Sequence, residues 1–403
     1  MLLAHKIALD PNVAQHRYFA RAAGTARFAW NWALRRWKQE YALKREYCCG
    51  PSPSEVSLRR DLNAVKRDQF PWMFDVTKCA AQEAIIDLGS AFRAFFEGRA
   101  KYPVRKRKED KPSFCAANEA GTFRADGKRI KLPVIGWVRM REAVRFNGQL
   151  KRATISCEAG RWFVSVMVET GDVKPVMPPM PFVGIDVGSK TLATLSTLIA
   201  EEEIEGPKAH KAALKRLRRA NKALARKRRA SANFRKAKAR LAKLHRRIGA
   251  IRRDVTHKLT TRITKTFAVI GIEDLNVRGM LRNHRGARGI ADASFFEFRR
   301  QIEYKARWYG ARVVVADRWY PSSKTCSCCG VVNSTLGRAE VFRCNDCGFE
   351  AGRDINAARN LAAMAASSAA QPVERNRSGP VRKNRVKRAF VKQEPKPDLP
   401  LAA

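Results

Sequence analysis

The chain of 403 residues carries a formal net charge of +44 and is 45% hydrophobic. That apolar content excludes a wholly disordered basic tail. The length suggests about two to four domains, and the excess of Lys and Arg calls for a polyanion, nucleic acid before an anionic membrane.

The first seven residues read as a short strand. "VAQHRYFARAAGTARFAWNWALRRWKQEYALKRE" then has helical spacing, with Trp30, Leu34, Trp37 and Tyr41 on one stripe. The stripe reads as helix core, with base stacking as the alternative. A Pro/Ser break at 50–54 precedes more helix, including "TKCAAQEAIIDLGSAFRAFFEG", where Lys78 and Gln82 share a face. "AKYPVRKRKEDKPSF" is a basic connector. Alternating segments follow, with turn signals at Asp126-Gly127, Asn147-Gly148 and Ala159-Gly160, and they predict an antiparallel β-domain closed by a linker from Pro175 to Pro181.

"FVGIDVGSKTLATLST" reads as strand, glycine turn, strand. From Lys208 to Arg253 the chain holds 20 Lys or Arg and no Asp or Glu. Leu214, Leu217 and Leu224, then Leu241, Leu244, Ile248, Ile251 and Val255, make a narrow apolar seam. The pattern predicts a helical hairpin with its turn near 230–233. A solvated face usually mixes charge signs, so a face of one sign reads as a phosphate-binding surface. Arg216, Arg219, Arg228, Arg246 and Arg253 are its candidate contacts. "FAVIGIEDLNV" is an apolar strand ending in acids, "FFEFRRQIEYKARWYG" an amphipathic helix, and "ARVVVADRWY" a strand. A cysteine-rich block and the helix "DINAARNLAAMAA" follow. Residues 367–403 read as a disordered tail. No apolar run reaches about 18 residues, and "MLLAHKIALD" is too short and polar for a signal peptide, so a cytoplasmic location with reduced thiols is expected.

Cys326-x-x-Cys329 and Cys344-x-x-Cys347 are separated by 14 residues, and each pair is followed by glycine. A tetrahedral thiolate site sets its sulfurs about 3.7 Å apart, which two such loops can do, so structural Zn2+ is expected. Cys328 is the leftover, because a Cys326/Cys328 pair would break the mirror between the two loops. Four thiolates leave no open position for chemistry.

Asp186 ends the strand "FVGID", Glu273 ends "FAVIGIE", and Asp354 starts the helix "RDINAARN". Three carboxylates at element ends suit a two-metal phosphoryl-transfer site with Mg2+ or Mn2+. The plain alternative for each acid alone is a turn or cap. Asp274 is an alternative ligand to Glu273, and strand alternation sends the two to opposite faces.

The ordered set "GIDVGSK … GIEDLNV … PSSKTCSCCG … FRCNDCG … RDINAARNL" resembles the TnpB family of transposon-encoded RNA-guided nucleases, which are related to type V CRISPR effectors. The resemblance spans about residues 1–365. It implies an α/β multidomain fold with an RNase H-like (RuvC) nuclease domain at 181–322 and 350–366, including the basic hairpin at 207–262. A zinc-ribbon, target-nucleic-acid-binding insertion would occupy 323–349. A wedge-like β-barrel at 1–8 and 101–180 would be interrupted by a helical recognition lobe at 9–100. Asp186, Glu273 and Asp354 would be the catalytic, Mg2+-binding acids. The implied partners are a guide RNA from the transposon end and a double-stranded DNA target with a short adjacent motif, held by a monomeric, nucleoid-associated prokaryotic ribonucleoprotein. Lys78 and Gln82 match a position that contacts the adjacent motif. No small-molecule substrate and no membrane partner are implied. A compact type V CRISPR effector, a guided repressor without cleavage and a strand-joining transposase are the competing classes. The intact acid set argues against the repressor.

Overall fold

The computed structural model describes residues 1–47, 52–118, 121–171, 177–284, 286–337 and 339–370. In chain order the elements are β1 (Leu2–Ala8), α1 (Val13–Tyr47), α2 (Glu55–Gln69), α3 (Lys78–Phe96), β2 (Ser113–Ala117), β3 (Arg124–Asp126), β4 (Arg129–Leu132), β5 (Gly136–Arg139), β6 (Gln149–Glu158) and β7 (Arg161–Glu169). They continue as β8 (Met180–Asp186), β9 (Thr191–Ser196), β10 (Glu201–Glu205), α4 (Ala209–Ala225), α5 (Ala232–Thr266), β11 (Phe267–Ile272), α6 (Val277–Met280), α7 (Ala287–Ala293), α8 (Phe295–Tyr309), β12 (Arg312–Val315), β13 (Val341–Arg343), β14 (Glu350–Gly352) and α9 (Arg353–Ala370).

The N-terminal body has one apolar core shared by helices and sheets. Strands β1, β7, β6 and β2 form an antiparallel sheet in that order, and β3, β4 and β5 form a second. Leu9, just past β1, bridges Met140, just past β5. Helix α1 buries Phe19, Ala22, Ala26, Ala29, Trp30, Ala33, Leu34 and Trp37, the three- and four-residue spacing of one face. Trp37 stacks on Phe92 of α3 with ring centroids 4.1 Å apart. Tyr41 departs from the expected stripe: it is 52% exposed, because the helix has run beyond the partners that cover Trp37. The basic connector is tied to α1 where the Asn31 amide exchanges hydrogen bonds with the Lys106 backbone, both 2.9 Å. Asn147-Gly148 precedes β6 and does not join two paired strands. The turns at Gly127 and at Ala159-Gly160 do join them, with positive φ. Ser54 caps α2. Residues 50 and 51 of the expected break, the start of the Pro175 linker and the tail beyond Ala370 lie outside the described residues. Helix α9 continues through Ala370, so residues 367–370, expected in the tail, are helical.

A five-stranded sheet has the order β10-β9-β8-β11-β12. Its β10, β9 and β8 are antiparallel, while β8, β11 and β12 are parallel. Parallel neighbours need crossovers. The α4–α5 hairpin lies on the first, and α6 to α8 lie on the second. Side chains alternate between the faces of a strand. Val183, Ile185, Ile270 and Ile272 share a core with Leu259 and Ile263 of α5 and Phe298 and Ile302 of α8.

The opposite face belongs to α9. Gly184 of β8 lies directly beside Gly271 of β11. A Cβ on Gly184 would sit 2.1 Å from the Ala358 carbonyl oxygen, and one on Gly271 would sit 2.3 Å from that of Leu361. Two glycines side by side therefore form a notch, and the helix backbone rests directly on the sheet. Ala357, Ala358, Leu361, Ala362 and Ala365 are buried in that contact. We expect Gly184→Ala or Gly271→Ala to cost more than the roughly 1–3 kcal/mol of ordinary overpacking, because the clash is with backbone. A denaturant midpoint equal to wild type would show that the helix is not seated there.

Candidate active site and metal centre

The residues two positions after the notch glycines are Asp186 and Glu273. Alternation puts each on its glycine's face, the face covered by α9. Helix α9 starts at Arg353, so Asp354 stands in its first turn. A Cβ on Gly188, in the turn after β8, would lie 3.7 Å from Asp354 Oδ2. Burial first, then the facing charges of Glu273 and Asp354, push the Asp186 carboxyl up to about 8. The structure thus brings the three acids into one electrostatic cluster, and a hard divalent cation is its chemical complement. Among the described residues, only four cysteines bring three or more ligand atoms within 4.8 Å of one another, so the acids do not close on a single point. A pair of ions about 3.5–4 Å apart does not require that they should.

Neighbouring contacts separate Glu273 from Asp274. Ser322 Oγ donates to Glu273. Asp274 instead accepts from Arg299 and Arg318, whose guanidiniums hold its carboxyl below the usual range. Ser322 is held in turn from α9: Asn360 Nδ2 donates to the carbonyls of Ser322 and Thr325, both 2.7 Å. Asn356, one helical turn earlier, donates to Thr325 O at 2.7 Å and accepts from the Ser327 amide at 2.9 Å. The helix that carries Asp354 therefore also pins the strand of chain that orients Glu273 and opens the cysteine block. These asparagines and Ser322 lay inside quoted motifs, but their roles need the tertiary fold.

The four cysteines meet as the mirrored frame requires. Cys326 and Cys347 sulfurs lie 3.6 Å apart, as do those of Cys329 and Cys344, close to the edge of a tetrahedral thiolate site. Cys328 is exposed and outside the cluster. Amides of Cys347 and Asp346 bring the Cys344 thiol down to about 7. Cys347 moves the other way, to about 12: the Phe349 amide lowers it, but desolvation and the neighbouring thiols outweigh that pull. Splitting the four in this way is what an ion would undo, and the donor set fits zinc. Leu336, Phe342 and Phe349 pack a small core beside the sulfurs.

Helices α4 and α5 pair along Leu217 and Ile248, with Ala213, Leu241 and Leu244 partly buried beside them. The turn falls at 226–231, slightly earlier than expected, and Ser231 caps α5. Ile251, expected in the seam, is 40% exposed. Arg216, Arg219, Arg228 and Arg253 are exposed, and Arg246 is half-buried. A cavity of about 480 Å³ lies beside Gly188, lined by Lys190, Lys208, Lys211 and Arg288. Its one acid, Asp292, already accepts from the His210 and Lys211 amides. In the N-terminal body, Lys78 and Gln82 share a groove of about 320 Å³ with Arg59, Asn63 and Lys66. No helix among the described residues is long and apolar enough to cross a membrane.

Three family models match. One described as "Probable transposase" covers 165–284, and one for a Cas12f1-like TNB domain covers 295–361. A model described as "Helix-turn-helix domain" covers 1–46. In the structure that segment is a strand and one unbroken helix. A Streptomyces pristinaespiralis protein named "Putative RNA-guided DNA endonuclease" is 35% identical, over 97% of this chain and 96% of its own. An Escherichia coli K12 protein, "Putative RNA-guided DNA endonuclease InsQ", is 32% identical over 90% of this chain and 92% of its own. Among solved structures, a chain of the "Cas12f1-sgRNA-target DNA complex" shares the fold, with a TM-score of 0.56 at 14% identity over 85% of this chain and 82% of that one.

Two expectations follow from the geometry. Cys328→Ser should leave one zinc per chain, while Cys329→Ser should lose it; metal analysis showing equal loss would break the frame. Without a divalent cation, the folded state holds the Asp186 proton up to about pH 8, whereas the unfolded chain releases it near pH 4. The native state binds more protons in that window, so this group makes stability fall as pH rises from about 4 to about 8. Melting curves should show that slope, its reversal by Mg2+ or Mn2+ at pH 8, and the loss of both in Asp186→Asn.

Proposed function

The chain belongs to the TnpB family, and from that premise we propose that it is an RNA-guided DNA endonuclease that cuts at Asp186, Glu273 and Asp354. The observation that carries the reading is the electrostatic cluster of three carboxylates at the glycine-seated end of α9. Phosphodiester hydrolysis at such a site needs hard cations, and bound Mg2+ or Mn2+ would supply an activated water and stabilise the leaving oxygen. The three acids would hold them. Ser322 fixes the Glu273 carboxylate, and the two arginines keep Asp274 occupied elsewhere.

Zinc on Cys326, Cys329, Cys344 and Cys347 is the scaffold in this reading. Its shell is closed, and the block it folds is pinned to α9 by Asn356 and Asn360. Guide RNA transcribed from a transposon end pairs with one DNA strand, so base pairing reads sequence while the protein supplies charge and shape. The basic faces of α4 and α5, with Arg216, Arg219, Arg228, Arg246 and Arg253, suit the phosphates of that duplex. The cavity of Lys190, Lys208, Lys211 and Arg288 extends positive charge to the acids. Lys78 and Gln82 present groups that bind guanine and adenine edges, which suits a short motif beside the target. We carry over from the family the RuvC assignment of the five-stranded sheet, the wedge and recognition-lobe assignments of the N-terminal body, and a monomeric ribonucleoprotein.

RNA-loaded protein should cut a matched duplex only with Mg2+ or Mn2+, and Asp186→Ala should bind the same duplex without cutting. Cutting by RNA-free protein would sink the guided part. Lys78→Ala/Gln82→Ala should keep RNA affinity and lose cutting of duplex targets by about tenfold or more, one to two lost base contacts. Unchanged dependence on the flanking sequence would remove these two residues from motif reading.

A further inference from the structure

One cavity is left over by phosphate chemistry. It holds about 290 Å³ and opens where β8 and β11 end, with Ile185, Val187, Leu275, Phe295 and Phe296 among its lining and Glu273 in its wall. The size is near the lower bound of ordinary ligand sites, about 300 Å³. Carboxyl ends of parallel strands are where open α/β sheets place ligands. Arg278, Arg299 and Arg318 stand around it.

The backbone turns an aromatic ring outward here. Ser294 sits at φ 58°, a left-handed conformation rare for a residue with a side chain. It is the joint between α7 and α8. Directly after it, Phe295 is 4% exposed and Phe296 is 68% exposed. Strain held at one residue while its neighbours diverge is typical of ligand-contacting segments.

The lining selects among occupants. Of the three arginines, Arg299 and Arg318 are engaged by Asp274, which leaves Arg278 alone to meet a phosphate in an otherwise largely apolar lining. A cation would need several carboxylates, and Glu273 is the only one in the wall. A nucleobase needs apolar faces, and Val187, Leu275, Phe295 and Phe296 supply them. Glu273, one of the three acids, stands in the cavity wall, so a nucleotide whose phosphate reaches it lies beside this cavity.

We propose that the cavity receives the base of the nucleotide next to the scissile phosphate, stacked on Phe296. The inference rests on the nuclease reading of the acid cluster. It makes Phe296 a positioning residue that fixes the strand while the acids act on its phosphate. Stacking on an aromatic face is tolerant of sequence, because every base has such a face. Asn276 also lines the cavity, and its Oδ1 accepts from the Gly279 amide.

The test pairs strand lesions with variants of the exposed ring, whose truncation spares the core. RNA-loaded protein is given targets with one abasic site stepped across the cut, under single-turnover conditions. Wild type should slow about tenfold at one position, within the span measured for base stacking. Phe296→Ala should slow by a similar factor on intact strand and lose nothing further at that position, and Phe296→Trp should restore the rate. A Phe296→Ala rate equal to wild type, or an undiminished abasic effect in it, overturns the proposal. A second readout does not require cutting. A single-stranded oligonucleotide carrying 2-aminopurine, scanned along its length, should be quenched on binding Asp186→Ala and released when Phe296→Ala is added to it. If wild type never cuts, the nuclease reading fails, and this quench alone decides the base pocket: its dependence on Phe296 upholds the pocket and its absence overturns it.

Discussion

The close approach of α9 to the sheet is the constraint on which the rest depends. Helices normally stand about 10 Å off a sheet, spaced by side chains on both. Here Gly184 and Gly271 remove those spacers at one register pair. The helix comes down onto backbone, and its first turn arrives beside the ends of β8 and β11. Asp354 then faces Asp186 and Glu273 with no loop to set its distance. The same descent delivers Asn356 and Asn360 to the chain at 322–327. One packing contact therefore sets three acids and the base of the cysteine block together.

This arrangement resolves an electrostatic oddity. The chain has 81 basic residues against 37 acidic ones, yet it concentrates negative charge at one half-buried point. Asp186 bears the cost, since burial and like charges raise it to about 8. Nearby acids are kept out of the cluster by prior engagement. Asp274 is engaged by two arginines, Asp292 by the amides of α4, and Glu340 by Lys190. Among the described residues, no lysine or arginine pairs with Asp186, Glu273 or Asp354. A region of excess positive charge draws a polyanion in, and a cluster of carboxylates left without such partners is a place where a hard divalent cation is favoured.

Much of this was legible because it is local. Strand ends at Asp186 and just before Glu273, and a helix start at Arg353, follow from apolar runs and their breaks. The mirrored cysteine pairs needed only spacing, and the hairpin only its seam. What was not legible is what depends on distant partners. Nothing in "VGID" or "VIGIE" says that the two glycines lie side by side; that is a property of register between strands. Tyr41 continues the stripe of Trp37 in sequence, but its exposure depends on where α3 stops. Ser294 reads as an ordinary serine until the joint between α7 and α8 forces its φ.

The acid cluster and the cysteine cluster thus have unequal standing but one support. The cysteine block has a minimal core of its own, Leu336 and Phe342 with Phe349 beside them, too small to hold a fixed orientation unaided. Its orientation comes from Asn356 and Asn360, whose amides are buried and therefore costly to leave unpaired. If the sulfurs let go, the loop at 322–327 loses its outer anchor but keeps these inner ones. Glu273 would then keep Ser322, and the acids would stay in place. If α9 lifts, both centres go together, because Asp354, Ser322 and the start of the knuckle all hang from it. The helix thus supports both clusters at once, and the cause is the missing pair of Cβ atoms beneath it.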